Sequence, residues 1–452
     1  MSSPDALKTA GENANESNDD KITKYSVGDC ISECETKTGV SSFAAVCNIL
    51  ATAVGVGMLA LPNAIARAGY VAGFVMFALC VGIALLCCKL LQRAMWYAVD
   101  IQRRRDPSNP VQTYEDIGTV AFGRMGRSAV ALALHSAVVG CSCIIALLMG
   151  KAAFRLCPSV PQWGWIVIAC AVMLPFVWLR TMKHLGFVSA TLGTASIFAL
   201  TITVVVAGFM YIGHDGPADW LSGSPVRSYD PSMVSFWGLG TAFGTLTFAF
   251  AVTCTLPTIL GDMQVKKDAD QVIVAGVSAT SAVYGAVALC GYLGFGSLLV
   301  ASGVEDIFTV QEPNTPLSNC TDILVLLVCI THYAVMINPS CRALEAQFAF
   351  SRDSLPGGSL VRTALVVFTA LVAIFLGKFT ALVDLIGSIS FALVHMVFPP
   401  IFYIKLRSMS GQSVFESRWE KSVAVACGVL VILALVGGTI GSVASITRFI
   451  EA

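Results

Sequence analysis

The sequence predicts an all-α polytopic membrane protein of eleven transmembrane helices, the first and sixth of them broken at mid-membrane. Three observations carry this. The chain of 452 residues is 56% hydrophobic and 12% charged, with a mean hydropathy of +0.76, whereas about a quarter of the residues in a soluble domain are charged. Its apolar residues fall into stretches of about 18 to 28 residues, each long enough as a helix to cross a hydrocarbon layer of about 30 Å. Two of those stretches carry helix-breaking residues near their middles.

Residues 1–40 are polar, show no apolar periodicity and predict a disordered cytosolic tail. The spans follow near 43–66, 70–95, 129–150, 163–180, 185–211, 233–260, 271–300, 322–345, 361–377, 380–404 and 422–448. The fourth and ninth are the shortest, and only a few residues divide each from its successor. Orientation follows from Lys and Arg, which accumulate in loops that stay in the cytosol. Arg103 to Arg105, Arg124, Arg127, Arg180, Lys183, Lys266, Lys267, Arg342, Arg352, Arg362, Lys405, Arg407, Arg418 and Lys421 all fall on the side of the amino terminus. The opposite side holds far fewer, among them Arg67, Lys151, Arg155, Arg227, Lys378 and Arg448. The amino terminus is therefore expected in the cytosol and the carboxyl terminus outside. No secretory signal precedes the first span, which can itself direct insertion.

The sixteen cysteines show no metal-ligand spacing and lie mostly in apolar runs, as small hydrophobes do. Cys30 and Cys34 fall in the polar tail. No metal and no cofactor is expected. Cys157 and Cys320 fall on outer loops, where a disulfide is an option that spacing alone does not decide. Asn319-Cys320-Thr321 is a glycosylation sequon on the outer face, and Asn15-Glu16-Ser17 is one on the cytosolic face. A net charge of zero argues against a nucleic-acid partner; the partners expected are the lipid bilayer and a small solute. No nucleophile–base pair, metal motif or phosphate loop lies at membrane depth, which argues against an enzyme. No continuous polar stripe suggests a channel.

The first span organises the rest. Gly55 and Gly57 stand near the midpoint of AVCNILATAVGVGMLALPNAIARAG, and Pro62 follows within two turns. Glycine costs about 1 kcal/mol in a helix interior and proline removes a donor. Open backbone is tolerated at membrane depth only against protein or a water-filled cavity, so the break predicts a binding site; close helix packing on small residues is the plainer alternative. In the sixth span, Val252-Thr253-Cys254-Thr255 are poor helix formers and Leu256-Pro257 follows, as Leu61-Pro62 follows the first break. Interrupted spans at corresponding places in two halves point to a transporter's binding site.

The runs NILATAVGVGMLALPNAIARAGY, TYEDIGTVAFGRMGR, TFAFAVTCTLPTILGDM and LVDLIGSISFALVHMVFPPIFY, in this order and spacing, resemble the amino acid/auxin permease family over residues 41–448. The resemblance implies the fold of the bacterial leucine transporter. That fold is a five-plus-five inverted repeat, here over 41–211 and 233–404, with an eleventh helix appended at 422–448. It further implies transport of amino acids or close relatives, and a break in the eighth span at Asn338-Pro339.

At the first break an outer half-helix beginning near Gly57 offers free N–H groups and a positive dipole end to a carboxylate. Gly55, Val56, Gly57 and Met58 are the expected cradle. Carbonyls around Phe250 to Thr253 would accept from the substrate ammonium. Thr52 and Thr253 would add hydroxyls unless bonded back to their own helices, and Phe248 would wall the side-chain pocket. With no acid at its centre, the pocket predicts a neutral L-amino acid. Cationic amino acids or polyamines are the alternative substrates, and a non-transporting amino acid receptor is the alternative role. Ionisable groups inside a membrane are costly and point to function, which makes His135, His332, Asp384 and His395 the candidates for proton coupling. A neutral hydrogen-bonded histidine is the plainer reading of the three, and solvation at the outer end of its span that of Asp384. In sodium-coupled members the resemblance places an asparagine four residues before the first glycine of the break. Here that residue is Ala51, and Asn48 lies a turn lower. Proton symport or facilitated movement is therefore expected ahead of sodium symport, in the plasma membrane first and in a vacuolar or lysosomal membrane second.

Overall fold

A computed structural model describes residues 39–179, 189–214, 217–221, 224–225, 236–300, 306–307, 309–347, 355–412 and 418–450. The tail to residue 38, with Cys30, Cys34 and the sequon at Asn15, lies outside the described residues. So do Arg180, Lys183, Arg227, Glu305 and Arg352. The end of the expected tail is anchored: Val40 pairs with Met263, donating from its amide to the Asp262 carbonyl at 2.8 Å and accepting from the Gln264 amide at 2.9 Å.

The first span is two half-helices, α1 (Ser42–Ala53) and α2 (Leu61–Ala68), joined through a 3-10 turn at Val56–Ala60 and bent by 51°. Ser41 caps α1 by accepting from the Ala44 amide. Pro62 stands in the first turn of α2, where its missing donor is not needed. The proline thus starts the outer half rather than ending the inner one. The sixth span repeats the plan. It has α7 (Phe236–Ala249), a 3-10 turn at Val252–Cys254 and α8 (Leu256–Gly261), with Pro257 again in the first turn.

Between them lie α3 (Tyr70–Arg105), α4 (Tyr114–Leu156), α5 (Gln162–Trp178) and α6 (Thr194–Tyr211). After α8 come α9 (Ala269–Phe295), α10 (Pro316–Gln347), α11 (Leu355–Phe375), α12 (Phe379–Ile386), α13 (Phe398–Met409) and α14 (Arg418–Ile450). Helices α12 and α13 are one span joined by a π-helical stretch, Gly387–Val397. Pro399 and Pro400 at the head of α13 remove the amides that an α-helix would aim at the His395 and Met396 carbonyls, which favours the wider turn. A two-residue strand pair, Pro217–Ala218 with Ser224–Pro225, lies between α6 and α7.

Nine helices and the bent first pair are long and apolar enough to cross a bilayer among the described residues. Helix α5 coincides with the fourth expected span, but its 17 residues reach only about 25 Å, short of a typical hydrocarbon core. The third span is longer than expected. The motif TYEDIGTVAFGRMGR is helical, started by a capping box between Thr113 and Asp116 and turned at Phe122 and Gly123, where Gly123 has φ 64°. Lys151 and Arg155 therefore belong to α4, paired with Asp306 at 3.9 Å and Asp322 at 3.0 Å. The break expected at Asn338-Pro339 is absent, since α10 runs through Pro339. Asn319 falls in the first turns of α10 with Thr321 buried behind it. Cys157 and Cys320 are free and exposed, so the optional disulfide does not form.

The core is built round α7, most of which is buried. Helix α14 presents Val425, Val429, Ile432 and Val436 outward in one stripe, as lipid requires, and turns Cys427, Leu430 and Ala434 inward. Its glycines let it approach α7 closely: a Cβ on Gly441 would stand 2.7 Å from the Gly240 carbonyl, and one on Gly437 3.0 Å from the Phe243 ring.

Candidate functional site

At the first break the helical ladder stops where Val54 donates to the Leu50 carbonyl at 2.8 Å. The amides of Gly55, Val56 and Gly57 then find no backbone acceptor among the described residues, and Met58 resumes by donating to Gly55 at 3.1 Å. Three consecutive free donors ahead of a helix are suited to an anion. Met58 drops out of the expected cradle because its amide is engaged; its side chain is buried, with Sδ 3.3 Å from the Thr201 hydroxyl. Gly55 and Gly57 differ in surroundings. A Cβ on Gly55 would meet nothing within 4 Å, while one on Gly57 would stand 2.5 Å from the Phe248 ring. The open side of the cradle is therefore at Gly55. Phe248 closes the other side, edge-on to Phe391 at 5.1 Å. Thr52 is exposed, and its hydroxyl donates to the Asn48 and Ile49 carbonyls of its own helix.

In the sixth span the carbonyls of Phe250, Ala251 and Val252 accept from Val252, Cys254 and Thr255 within the turn. The expected acceptors are thus mostly engaged. Those left without a backbone donor among the described residues are Ala249, at the end of α7, and Thr253, whose α-helical donor would be Pro257. The Phe250 ring packs in the core against Phe77 and Tyr284, at 5.5 and 5.4 Å. Tyr284, a residue that sequence reasoning passed over, is buried in α9 and points its hydroxyl at both breaks, contacting the carbonyls of Ala53 and Ala249, the latter at 3.2 Å. The signal available was a tyrosine inside an apolar span, whose hydroxyl needs a partner.

The Thr253 hydroxyl faces the π-helical stretch, 3.1 Å from His395 Nδ1 and 3.5 Å from the Val394 carbonyl. His395 is buried, and its Nε2 has no hydrogen-bond partner among the described residues. A substrate candidate and a proton candidate therefore share one contact. The other candidates lie apart. His135 Nδ1 is 3.2 Å from the Ser340 hydroxyl and its Nε2 is 3.7 Å from Glu115. His332 is bonded back to Val328 at 2.9 Å. Asp384 is buried rather than solvated: it pairs with Arg448 at 2.7 Å and accepts from Thr245, while Arg448 also reaches the Thr380 hydroxyl at 2.5 Å.

Neither break carries a charged side chain. No group of three or more His, Cys, Asp or Glu able to hold a metal occurs among the described residues. A cleft of about 520 Å³ opens between α3, the 106–113 connection and α8, lined by Trp96, Arg103, Asp106, Thr258, Asp262 and Lys266 among others. It includes no residue of either break.

Against known proteins, residues 38–444 match the family described as "Transmembrane amino acid transporter protein". The chain is 26% identical over 375 residues to the amino acid transporter AVT1J of Arabidopsis thaliana, covering 80% of this chain and 82% of that one. It is 23% identical to the vesicular inhibitory amino acid transporter of Xenopus tropicalis, over 92% of this chain and 77% of the relative. Among solved structures, MhsT in complex with L-phenylalanine aligns with a TM-score of 0.52 and 13% identity, over 91% of this chain and all of that one. That likeness establishes the shared leucine-transporter-like fold.

Proposed function

Since the chain belongs to the transmembrane amino acid transporter family, a family of transporters and not of enzymes, we propose that it carries neutral L-amino acids across its membrane by alternating access. The observation that carries this is the pairing of three free amides, Gly55 to Gly57, with the carbonyls of Ala249 and Thr253 at the facing break, which receive no backbone donor among the described residues. A carboxylate placed on the amides and an ammonium placed on the carbonyls complement the two ends of a zwitterion. The side chain then projects toward Phe248 and Phe391. A guanidinium or polyamine would arrive without a carboxylate partner, because neither break supplies one.

The coupling proposed is proton symport or facilitated movement, with sodium set aside because Ala51 offers no side-chain oxygen. His395 is the group favoured for the proton, being the one candidate in contact with a break residue. The amino terminus is assigned to the cytosol and the carboxyl terminus to the outside on the distribution of Lys and Arg. The plasma membrane is the first assignment; the name of the vesicular relative supports an internal membrane as the second.

Uptake into proteoliposomes containing the purified chain alone tests the proposal, using a panel of labelled amino acids with and without sodium and pH gradients. Saturable uptake of a neutral amino acid is expected. Specific substrate binding with no flux under any gradient would favour the receptor role instead.

A further inference from the structure

The two breaks meet at one hydroxyl. Helix α1 ends at Ala53 and α7 ends at Ala249, and neither carbonyl receives a backbone donor among the described residues. Each is the terminal carbonyl of a helix and carries part of that helix's negative dipole end. The protein thus brings two partial negative charges together at a depth where water is scarce. Such a junction calls for a positive group or a strong donor. Tyr284 of α9 supplies it, with its O–H on both carbonyls. Its side chain is 1% exposed, and its ring is held edge-on by Phe250 at 5.4 Å, so the hydroxyl has little freedom to leave.

We propose that the Tyr284 hydroxyl stands where a coupling cation would otherwise bridge the two broken helices, and that this is why the chain works without sodium. The inference rests on the reading of the protein as a sodium-independent transporter and names the residue responsible. An alkali cation at such a junction is held by carbonyl oxygens and a side-chain oxygen of a neighbouring helix. Here the side-chain oxygen is present, but as a phenol it brings its own proton, and it donates where a cation would be coordinated. A hydroxyl has one proton for two carbonyls. While it serves Ala53, the Ala249 carbonyl is open to the substrate ammonium. Tyr284 is therefore a positioning residue: it ties the inner half of the first span to the outer half of the sixth and sets which carbonyl is free.

The test is Tyr284→Phe, which keeps the ring and removes the donor. Uptake of the best neutral substrate is measured in sodium, lithium and choline media for wild type and variant, each checked for monodispersity. Wild-type uptake is expected to be the same in all three. In choline the variant is expected to lose about tenfold in uptake at low substrate, mostly through a higher KM, and sodium or lithium should restore part of it. That cation response is a readout that loss of packing alone would not give. Variant uptake equal to wild type in choline would overturn the inference, as would a folded variant that is inactive whatever the cation. If the variant does not fold, thermal unfolding of the wild type decides. Equal stability in sodium and choline chloride is expected, and stabilisation specific to sodium would overturn the assignment. A wild type with no uptake at all refutes the transport reading but leaves this stability measurement to judge the tyrosine.

Discussion

Gly55 and Gly57 are two residues apart and answer to different constraints. At Gly57 the Phe248 ring occupies the place of a Cβ, so the position needs the smallest residue for packing. At Gly55 the space is open, and the cost of a side chain falls on the ligand instead. Gly57→Val is expected to overpack the site by about 1–3 kcal/mol, lowering the unfolding temperature and abolishing uptake together. Gly55→Ala should leave the unfolding temperature unchanged while raising KM. Thermal unfolding and uptake on the same preparations separate the two, and a Gly57→Val protein with wild-type affinity would remove Phe248 from the site. Both glycines were legible in the sequence as a break. Which of them faces the ligand was not, because the deciding ring lies in another span.

At the scale of elements, the two Leu-Pro pairs announce the broken spans because each proline can only begin a half-helix. Pro339 carries the same chemistry and yet leaves α10 continuous. A proline inside a membrane helix is tolerated when neighbouring groups satisfy what it frees, and the sequence does not display those neighbours. Asp384 misled for a similar reason: its partner, Arg448, is 64 residues away on α14. Breaking that pair from one side leaves a buried charge, so Arg448→Ala is expected to cost about 3–5 kcal/mol. Adding Asp384→Asn should return part of the loss, and strictly additive effects in a double-mutant cycle would contradict a direct pairing. In the π-helical stretch, His395→Gln can keep a hydrogen bond to Thr253 but cannot titrate. Uptake by this variant should lose any pH dependence shown by the wild type while keeping its affinity. An unaltered pH profile would move proton coupling elsewhere.

For the whole molecule, composition and the lengths of the apolar stretches were enough to predict a polytopic helical protein, since the bilayer imposes both. The site was legible only as two interrupted backbones. The Ala249 carbonyl, the Tyr284 hydroxyl and the Thr253–His395 contact depend on pairings 35 to 231 residues apart, which no local pattern encodes. The absence of charge at both breaks leads to a prediction on selectivity. Labelled alanine or a larger neutral amino acid should be taken up, and excess arginine should displace it poorly or not at all; arginine uptake that resists a large excess of neutral amino acids would place the substrate in the cationic class.

The ion pair between α12 and α14 also has a bearing on biogenesis. Arg448 is synthesised 64 residues after Asp384, so the acid is made before its partner. Assembly of α7, α12 and α14 can be completed only after residue 448 leaves the ribosome. The last turn of α14 thus completes the pair, and a protein lacking Arg448 is expected to present an uncompensated carboxyl group to membrane quality control.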